Sequence, residues 1–510
     1  MYLDKILQES EGIHYTKDKK VKEMLRNFKA IEETEFEIPK ELETILRPYQ
    51  KVGYQWLRTV EAYQFGGILA DDMGLGKTLQ IIAVLLSAKL EGREGTSLII
   101  CPSSLIYNWE NECHQFAPAL QVKVVAGALE ERINLLNDIV EEKGKVDVLI
   151  TSYDLLKRDI NQYESISFLY EIIDEAQYIK NQTTQGAKAV KIIHAKTRFA
   201  LTGTPIENRL SELWSIFDYL MPGFLYRYEQ FKKEIEVPIV RSQEKDIIAR
   251  FKKMVAPFIL RRLKKDVLKE LPDKLEEVTY AKMAEEQRSI YEAYTKKIKA
   301  QLAGQSEDEF VSNKLKILAE FTRLRQICCD PALLYENYKE ESAKLATCLE
   351  LLHNAVDGNH KVLLFSQFTS MLSIIEERLK QEGMTYYKIT GATKKEDRIQ
   401  LVNQFNEDNT TVFLISLKAG GTGLNLTGAD IVIHFDPWWN VAAQNQATDR
   451  AHRIGQKNVV TVFRLIMQDT IEEKIMKMQL AKKDLADQII SEDMNQLQNM
   501  TREDFEELLG

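Results

Sequence analysis

The sequence contains few cysteines and histidines for its length. Five cysteines occur among 510 residues, at positions 101, 113, 328, 329 and 348, and no two of them form a C-x-x-C pair. The seven histidines show no metal-ligand spacing and no H-E-x-x-H motif. A zinc site is therefore not expected, and thiols without framework spacing favour a reducing compartment. The adjacent Cys328 and Cys329 are expected to pack within a helix and to have no redox role.

Long apolar runs and secretion signals are also missing. The apolar stretches are as short as strands and are interrupted by charge, which excludes a transmembrane helix and a membrane partner. The residues after Met1, YLDKILQES, lack the cationic start and apolar core of a signal peptide. With 44% hydrophobic and 28% charged residues the chain has a globular composition, and 510 residues predict two or three domains.

The charge balance is acidic overall, with one basic exception. The formal net charge is −9, which argues weakly against a nucleic-acid partner. Residues 250–269, however, contain eight lysines and arginines and only one acidic residue, Asp266. Such a run is typical of a solvated helix face and equally of a surface for an acidic partner. Charge alone leaves both interpretations open.

Short apolar strands alternate with helical stretches in two separate regions. The first region contains the candidate strands GGILA (66–70), SLIIC (97–101), KVVAG (123–127), VDVLIT (146–151), YEIID (170–174) and RFALTG (198–203). The second contains KVLLFS (361–366), TYYKITG (385–391), TVFLIS (411–416), DIVIHF (430–435) and VVTVFRLI (459–466). Strands separated by helices predict right-handed crossovers and parallel sheets, and hence an α/β fold with two lobes. The predicted boundaries are 1–45 for a helical extension, 46–220 for the first lobe, 221–340 for a helical insertion and linker, 341–480 for the second lobe and 481–510 for a C-terminal helical segment.

The segment GILADDMGLGKT (67–78) has the features of a phosphate cradle. Gly74 and Gly76 permit turns that direct backbone N–H groups inward, and a helix beginning near Lys77 directs its positive end to the same place. Lys77 would reach the β- and γ-phosphates, and the Thr78 hydroxyl would ligate Mg²⁺. The strict P-loop has a glycine where this chain has Asp71, and the alternative is a chance glycine-rich turn. The predicted nucleotide-binding residues of this segment are Asp72, Met73, Gly74, Leu75, Gly76, Lys77 and Thr78.

An acidic pair provides the metal and water ligands that such a site needs. In FLYEIIDEAQ, Asp174 follows a predicted strand and would lie at the carboxyl edge of the sheet. Asp174 is predicted to coordinate Mg²⁺, and Glu175 to polarise the attacking water. An Asp-Glu pair alone more often marks a turn, but its position after a P-loop favours phosphoryl transfer.

The second region contains two arginines three residues apart, in NQATDRAHRIGQ. Arg450 and Arg453 lie on one face if the segment is helical, and together they would suit an oxyanion better than a core. Across a cleft from the P-loop they would act as arginine fingers; the alternative is a pair of surface arginines. The glycine-dense loop SLKAGGTGLNLTGAD (416–430) follows a predicted strand and is a candidate coupling element.

Taken together, these motifs resemble the SWI/SNF family of superfamily-two helicase-like ATPases, which are double-stranded DNA translocases. The resemblance covers about residues 45–480 and depends on segments that occur in the family's order: LRPYQKVGYQWL, LADDMGLGKT, IICPSSLIYNW, DEAQYIKN, ALTGTPIENRL, FILRRLKKDV, FSQFTSML, SLKAGGTGLNLTGAD, DPWWN and QATDRAHRIGQ. It implies two RecA-like lobes, ATP and Mg²⁺ as cofactors, and duplex translocation that remodels protein–DNA complexes without strand separation.

The resemblance also implies roles for individual residues. Gln50 would read the adenine edge, and Thr202 and Thr204 would couple nucleotide state to DNA grip. The RRLKK run would lie near DNA or brace the closed form. The second-lobe residues implied for the ATP site are Gln446, Arg450, Arg453, Gly421 and Gly423. The residues implied for DNA-backbone contact are Ser103, Ser416, Lys418 and Trp438, although Trp438 and Trp439 would serve equally well as core.

The sequence departs from the family pattern at two positions. Gln177 stands where many relatives carry histidine, and Asp449 precedes the first arginine where the wider superfamily usually has glycine. No chromodomain, bromodomain or zinc-knuckle pattern is seen. The short ends and the absence of a nuclear localisation cluster favour a prokaryotic motor or the isolated core of a longer protein. The expected location is cytoplasmic, with the nucleoid if prokaryotic and nuclear if eukaryotic. Two rival functions stay open, a strand-separating helicase and a nucleotide-gated scaffold.

Overall fold

The computed structural model describes residues 35–141, 145–203, 210–242, 244–268, 270–304, 307–420, 424–437 and 441–477. The chain divides into two compact units, Met1–Val267 and Leu268–Gly510, and each contains one sheet. The strand pairs in both sheets are parallel. The predicted α/β class with two parallel-sheet lobes is therefore confirmed. The helical segments predicted before residue 35 and after residue 477 lie outside the described residues.

The first sheet has seven strands in the order β3-β4-β2-β5-β6-β1-β7. They are Gly67–Leu69 (β1), Ser97–Cys101 (β2), Val122–Val124 (β3), Val148–Ser152 (β4), Ser167–Ile173 (β5), His194–Leu201 (β6) and Ile259–Leu260 (β7). The inner strands β1, β2 and β4 are buried at every residue. Helices on both faces of a parallel sheet require such continuous apolar runs.

The helices of the first unit cover this sheet and share its core with it. They are Lys40–Glu43 (α1), Pro48–Ala62 (α2), Lys77–Leu90 (α3), Ile106–Phe116 (α4), Leu129–Val140 (α5), Tyr153–Tyr163 (α6), Gln185–Ile192 (α7), Leu210–Leu220 (α8), Tyr228–Phe231 (α9), Val237–Ser242 (α10), Lys245–Val255 (α11) and Lys264–Val267 (α12). Shorter helical turns span Ala176–Ile179, Lys232–Glu236 and Ala256–Phe258. The apolar side chains of α2, α3 and α4 form one core cluster with the strands.

The second sheet has six strands in the order β10-β11-β9-β12-β13-β8. They are Lys274–Ala281 (β8), Val362–Ser366 (β9), Tyr386–Ile389 (β10), Val412–Ser416 (β11), Ile431–His434 (β12) and Val460–Met467 (β13). The helices of this unit are Glu285–Ala303 (α13), Glu307–Cys329 (α14), Ala343–Asp357 (α15), Thr369–Gln381 (α16), Lys395–Glu407 (α17), Leu417–Gly420 (α18) and Val441–Thr448 (α19), with a short turn at Pro331–Leu333. Two core clusters lie against the sheet, and a third joins α13 and α14. Within the described ranges, no helix combines the length and apolar character that a membrane crossing needs.

Every strand predicted from the sequence is present, but two further strands occur in the stretch that was expected to be helical. β7 has only two residues, which is too short for a recognisable pattern. β8, KLEEVTYA, is an edge strand whose first four residues are exposed, so it lacks an apolar alternation. Cys328 and Cys329 are buried at the end of α14, as expected.

Candidate nucleotide site

The carboxyl edge of the first sheet brings together residues from several of the predicted motifs. β1, β2, β5 and β6 run parallel, so the segments that follow them meet at one edge. Asp71, Ser103, Asp174 and Thr202 each lie one or two residues after one of these strands. Topology therefore brings together residues that are far apart in the sequence.

The P-loop has the backbone that the glycines predicted. Gly74 and Gly76 have φ angles of 83° and 71°, in the left-handed region that favours glycine. Helix α3 begins at Lys77, directly after Gly76, so its first N–H groups and its positive dipole end face the loop. The Lys77 ammonium donates a 2.7 Å hydrogen bond to the Asp71 carbonyl oxygen. Thr78, in the first turn, is half-buried.

Helix α2 supports the loop through two side chains. The Tyr49 hydroxyl and Gln50 Nε2 donate to the Leu75 carbonyl oxygen at 3.0 and 3.1 Å. Gln50 Oε1 accepts from the Arg47 backbone at 2.9 Å, and the residue is only 3% exposed. Gln50 thus ties α2 to the P-loop, and its reading of adenine stays a prediction.

Asp174 and Glu175 follow β5 at the sheet edge, as predicted. The Trp109 indole N–H donates a 2.9 Å hydrogen bond to Asp174 Oδ2, and the Tyr153 hydroxyl donates to the Asp174 carbonyl at 2.8 Å. Burial and then the neighbouring Glu175 carboxylate raise the pKa of Asp174 to about 7, while Trp109 and Lys77 act in the opposite direction. No role was predicted for Trp109, although it ends the segment IICPSSLIYNW, or for Tyr153, because an aromatic residue on a helix is usually core.

The residues at this edge fit a magnesium ion. The Asp174 carboxylate is buried beside that of Glu175, and a divalent cation would stabilise the negative charge of both. In the described part of the chain no group of three or more His, Cys, Asp or Glu side chains is arranged to hold a metal. Mg²⁺ in phosphoryl-transfer sites needs only one or two carboxylates with nucleotide and water oxygens. Asp174 and the Thr78 hydroxyl satisfy that smaller requirement.

A chain of hydrogen bonds connects Glu175 with the end of β6. Gln177 Nε2 donates to Glu175 Oε2 at 2.6 Å, and the Thr202 hydroxyl donates to Gln177 Oε1 at 3.1 Å. Glu175 has a φ angle of 53°, which is uncommon for a residue with a side chain. The amide at position 177 therefore bridges a carboxylate and a hydroxyl, since it can donate and accept at once.

The predicted arginine pair of the second unit lies outside any helix. Helix α19 ends at Thr448, and Arg450 and Arg453 follow it outside the helix, so the condition for a shared helical face is not met. The Asp449 N–H donates to the Asn445 carbonyl at 2.8 Å at the end of α19, and the Arg450 carbonyl then accepts from the Leu426 N–H at 3.0 Å. Arg450 is 6% exposed.

The remaining predicted residues of both units lie in several different elements. Gln446 is half-buried in α19. Ser416 ends β11 and is 4% exposed, and Lys418 follows it in α18. Ser103 in the first unit is exposed. Thr204, Gly421, Gly423 and Trp438 lie outside the described residues.

Two family models match the chain. The model of the SNF2-related domain matches residues 49–333, and that of the helicase conserved C-terminal domain matches residues 343–455. The first match covers more than half of the chain, and the second lies within the second unit.

Several known proteins are similar over most of the chain. An uncharacterized ATP-dependent helicase of Mycoplasma pneumoniae is 40% identical over 466 residues, which is 91% of this chain and 44% of that protein. The putative ATP-dependent helicase/translocase YwqA of Bacillus subtilis is 38% identical over 98% of this chain and 54% of that protein. The TATA-binding protein-associated factor MOT1 of Saccharomyces cerevisiae is 36% identical over 91% of this chain and 28% of its own length.

A solved Sulfolobus solfataricus SWI2/SNF2 ATPase core in complex with dsDNA is 37% identical, with a TM-score of 0.45, over 92% of this chain and 98% of that chain. This chain spans about half the length of the curated relatives it matches. The family models and the ordered motifs agree across both units. The chain belongs to the SNF2-related family, the SWI/SNF group of helicase-like ATPases.

Proposed function

We propose that this chain hydrolyses ATP with Mg²⁺ and uses the cycle to move along double-stranded DNA, remodelling protein–DNA complexes without separating strands. The observation that carries the proposal is the hydrogen-bond chain from Thr202 through Gln177 to Glu175, beside the P-loop. These bonds link the Glu175 carboxylate, which is proposed to polarise water, with Thr202 at the end of β6. The family resemblance implies that Thr202 belongs to a motif that couples nucleotide state to DNA grip. A nucleotide-gated scaffold that hardly hydrolyses ATP has no need to polarise water.

In the first unit we assign one role to each residue proposed to bind the phosphates, the metal ion or the attacking water. Lys77 can leave the Asp71 carbonyl and bind the terminal phosphates, together with the backbone N–H groups of the loop. Thr78 and Asp174 would hold the metal ion, which neutralises charge developing on the phosphates. Glu175 would orient and polarise the attacking water, while Gln177 holds the carboxylate in position. The rate enhancement then comes mainly from positioning and electrostatics.

In the second unit Arg450 and Arg453 are proposed to stabilise charge in the transition state, with Gln446 and the 421–423 glycines completing the ATP site. Replacing either arginine with alanine should spare ATP binding and lower turnover by about 10³-fold, the order found for arginine fingers. Steady-state ATPase rates and nucleotide titrations measure the two effects. Arg378→Ala, at a partly exposed ion pair with Glu341, is the control. Loss of binding with unchanged turnover would contradict the assignment.

Double-stranded DNA is the proposed track. The B. subtilis relative is named a putative ATP-dependent helicase/translocase. The resemblance to the SWI/SNF family likewise implies translocation along duplex DNA. Ser103 and Ser416 are hydroxyl side chains at strand ends, suited to phosphates, with Lys418 and Trp438 as further proposed contacts. Contacts to phosphates carry little base information, so a protein using them can move along any sequence.

Two DNA substrates test this proposal. Displacement of a third strand from a triplex reports movement along duplex DNA, and a forked duplex reports strand separation. The intact chain should displace the third strand with ATP and leave the fork paired, and Lys77→Ala should do neither. Efficient opening of the fork would favour a true helicase. ATP binding with very little hydrolysis, and no movement on either substrate, would favour the scaffold.

A further inference from the structure

Asp71, which occupies the place of the first P-loop glycine, is held by a distant arginine. Its carboxylate is fully buried and accepts two hydrogen bonds from the Arg262 guanidinium, of which the Nε bond to Oδ1 is 2.8 Å. Arg262 Nη1 also donates to the Tyr49 carbonyl, and Nη2 donates to Gln80 Oε1 at 2.7 Å. The arginine therefore joins β1, α2 and α3, the three elements that surround the P-loop.

A glycine in the middle of α2 makes room for this arrangement. A Cβ atom at Gly53 would lie 2.7 Å from Arg262 Nη2 and would overlap the Gln80 amide. Glycine inside a helix costs about 0.5–1 kcal/mol relative to alanine. The close packing of Arg262 and Gln80 against the helix backbone explains why this helix contains one. Gly53, which lowers helix stability, therefore lies at the point of α2 where the Arg262 guanidinium packs.

The backbone around Arg262 is bonded to the P-loop strand as well. The Ala70 N–H donates to the Leu260 carbonyl at 2.7 Å, and the Asp72 N–H donates to the Arg262 carbonyl at 3.0 Å. In return, Asp72 Oδ2 accepts from the Lys264 N–H at 3.0 Å. Residues 259–264, here called the Arg262 segment, then enter α12, the last element before the second unit begins at Leu268. Both aspartates of the loop are thus bonded to the segment by which the chain leaves the first unit.

We propose that Arg262 is a positioning residue for nucleotide binding. Through the Asp71 carboxylate it fixes the carbonyl that holds Lys77, and through the Arg262 segment it connects the P-loop with the exit of the chain from the first unit. Lysine cannot replace it, because a single ammonium cannot form a bidentate bond to Asp71 and also reach Tyr49 and Gln80. The proposal rests on the P-loop assignment made above.

The test compares Arg262→Lys with a matched buried pair. Arg132 forms a bidentate pair with Asp159 at 2.7 and 2.9 Å and also donates to the Gly127 carbonyl, in the same unit but on α5 and α6. Each lysine variant should lower the melting temperature, because each weakens a buried pair. Only Arg262→Lys should raise the Kd for a fluorescent ATP analogue, by about tenfold, as expected for loss of one charge-assisted contact to the loop. Gly53→Ala, whose Cβ would overlap the Gln80 amide and lie 2.7 Å from Arg262 Nη2, moves both side chains without removing the charge of Arg262 and should act in the same direction.

The outcomes separate this inference from the P-loop assignment. Equal effects of Arg262→Lys and Arg132→Lys on the Kd would show a purely structural role and overturn the inference. Unchanged Kd values in both Arg262→Lys and Gly53→Ala, with Lys77→Ala inactive, would also overturn it while leaving the P-loop assignment intact. Normal binding and turnover in Lys77→Ala would instead refute the P-loop itself. If Arg262→Lys does not fold, Gly53→Ala alone decides.

Discussion

Gln177 is the residue that joins the proposed water-activating carboxylate to β6. Its amide donates to Glu175 and accepts from Thr202, so alanine at 177 leaves both partners without their bond. The bond from Gln177 Nε2 to Glu175 Oε2 is 2.6 Å, so we expect this side chain to orient the carboxylate. Gln177→Ala should therefore lower kcat by the order of 10-fold and leave the Kd for ATP nearly unchanged. Stopped-flow binding and steady-state turnover measure the two constants.

Two variants of Thr202 test whether the loss of turnover arises from the hydrogen bonds that join Glu175, Gln177 and Thr202. Thr202→Ser keeps the hydroxyl donor and should retain most of the turnover, whereas Thr202→Val should resemble Gln177→Ala. Gln115→Ala, at an exposed glutamine of α4, serves as the control. An equal loss of ATP affinity and turnover in Gln177→Ala would show that the residue binds nucleotide and does not position Glu175.

His434 gives the second unit a pH dependence that can be measured. The ring is 2% exposed, lies 2.9 Å from the Thr448 hydroxyl and stacks on Phe365. Burial, then the charge of Arg464, lowers the pKa of His434 from 6.5 to about 3. Below pH 6.5 the unfolded chain binds a proton that the folded chain does not, so stability falls as the pH falls towards 3. Between pH 7 and pH 5 this histidine should reduce the free energy of unfolding by about 2 kcal/mol.

Chemical denaturation at pH 7 and pH 5 tests that value. His434→Asn should remove about 2 kcal/mol of the difference between the two pH values. The exposed His114→Asn exchange in the first unit controls for the substitution itself. The same pH difference in the wild type and in His434→Asn would show that the ring accepts a proton in the folded state.

At the scale of elements, α15 is joined to the segment after β13 by a fully buried ion pair. Lys344 and Glu472 are both 0% exposed, and the ammonium also lies 5.7 Å from the centroid of the Phe435 ring. Lys344→Met should cost about 3–5 kcal/mol, because it leaves a buried carboxylate without its partner. Lys344→Met combined with Glu472→Leu should recover about half of that loss, since an apolar pair needs no compensating charge.

Denaturation of the full chain, followed by a probe in the second unit, gives both values. Arg378→Met removes one side of a partly exposed pair with Glu341 and should cost less than about 1 kcal/mol. If Lys344→Met were as mild as Arg378→Met, the buried pair would not stabilise the attachment of this segment.

Elements with a strong local pattern could be predicted from the sequence. The P-loop strand, its turn and α3 follow from an apolar run, two glycines and a lysine within one short stretch. β8 could not be predicted, because an exposed edge strand has no apolar alternation. The end of α19 before Arg450 and Arg453 could not be predicted for a different reason: no glycine or proline follows Thr448 immediately to mark the end of the helix.

Contacts across long sequence separations were beyond prediction from one sequence. Asp71 and Arg262 are 191 positions apart, and Lys344 and Glu472 are 128 apart. Arg262 lies in a basic run and Lys344 in a helix, and the neighbouring sequence does not distinguish either one from an exposed residue. Gln177 was recognised as a departure from relatives, but its bond to Thr202 required the sheet to bring β5 and β6 together.

At the scale of the whole molecule, two sheet-bearing units were predicted because two regions of strand–helix alternation are separated by a stretch with little strand pattern. The structure places the division between Val267 and Leu268, within that stretch. β7 and β8, on either side of the division, belong to the first and second sheet respectively. The chain therefore adds an edge strand to each sheet as it passes from one unit to the other.

The central claim is that this chain is an ATPase that tracks duplex DNA. The steady-state ATPase rate of the intact chain, measured without DNA, with single-stranded DNA and with blunt duplex, tests it most directly. The account predicts strong stimulation by duplex, little by single strands, and no turnover in Lys77→Ala under any condition. Equal stimulation by single strands, or a rate that no DNA changes, would contradict it.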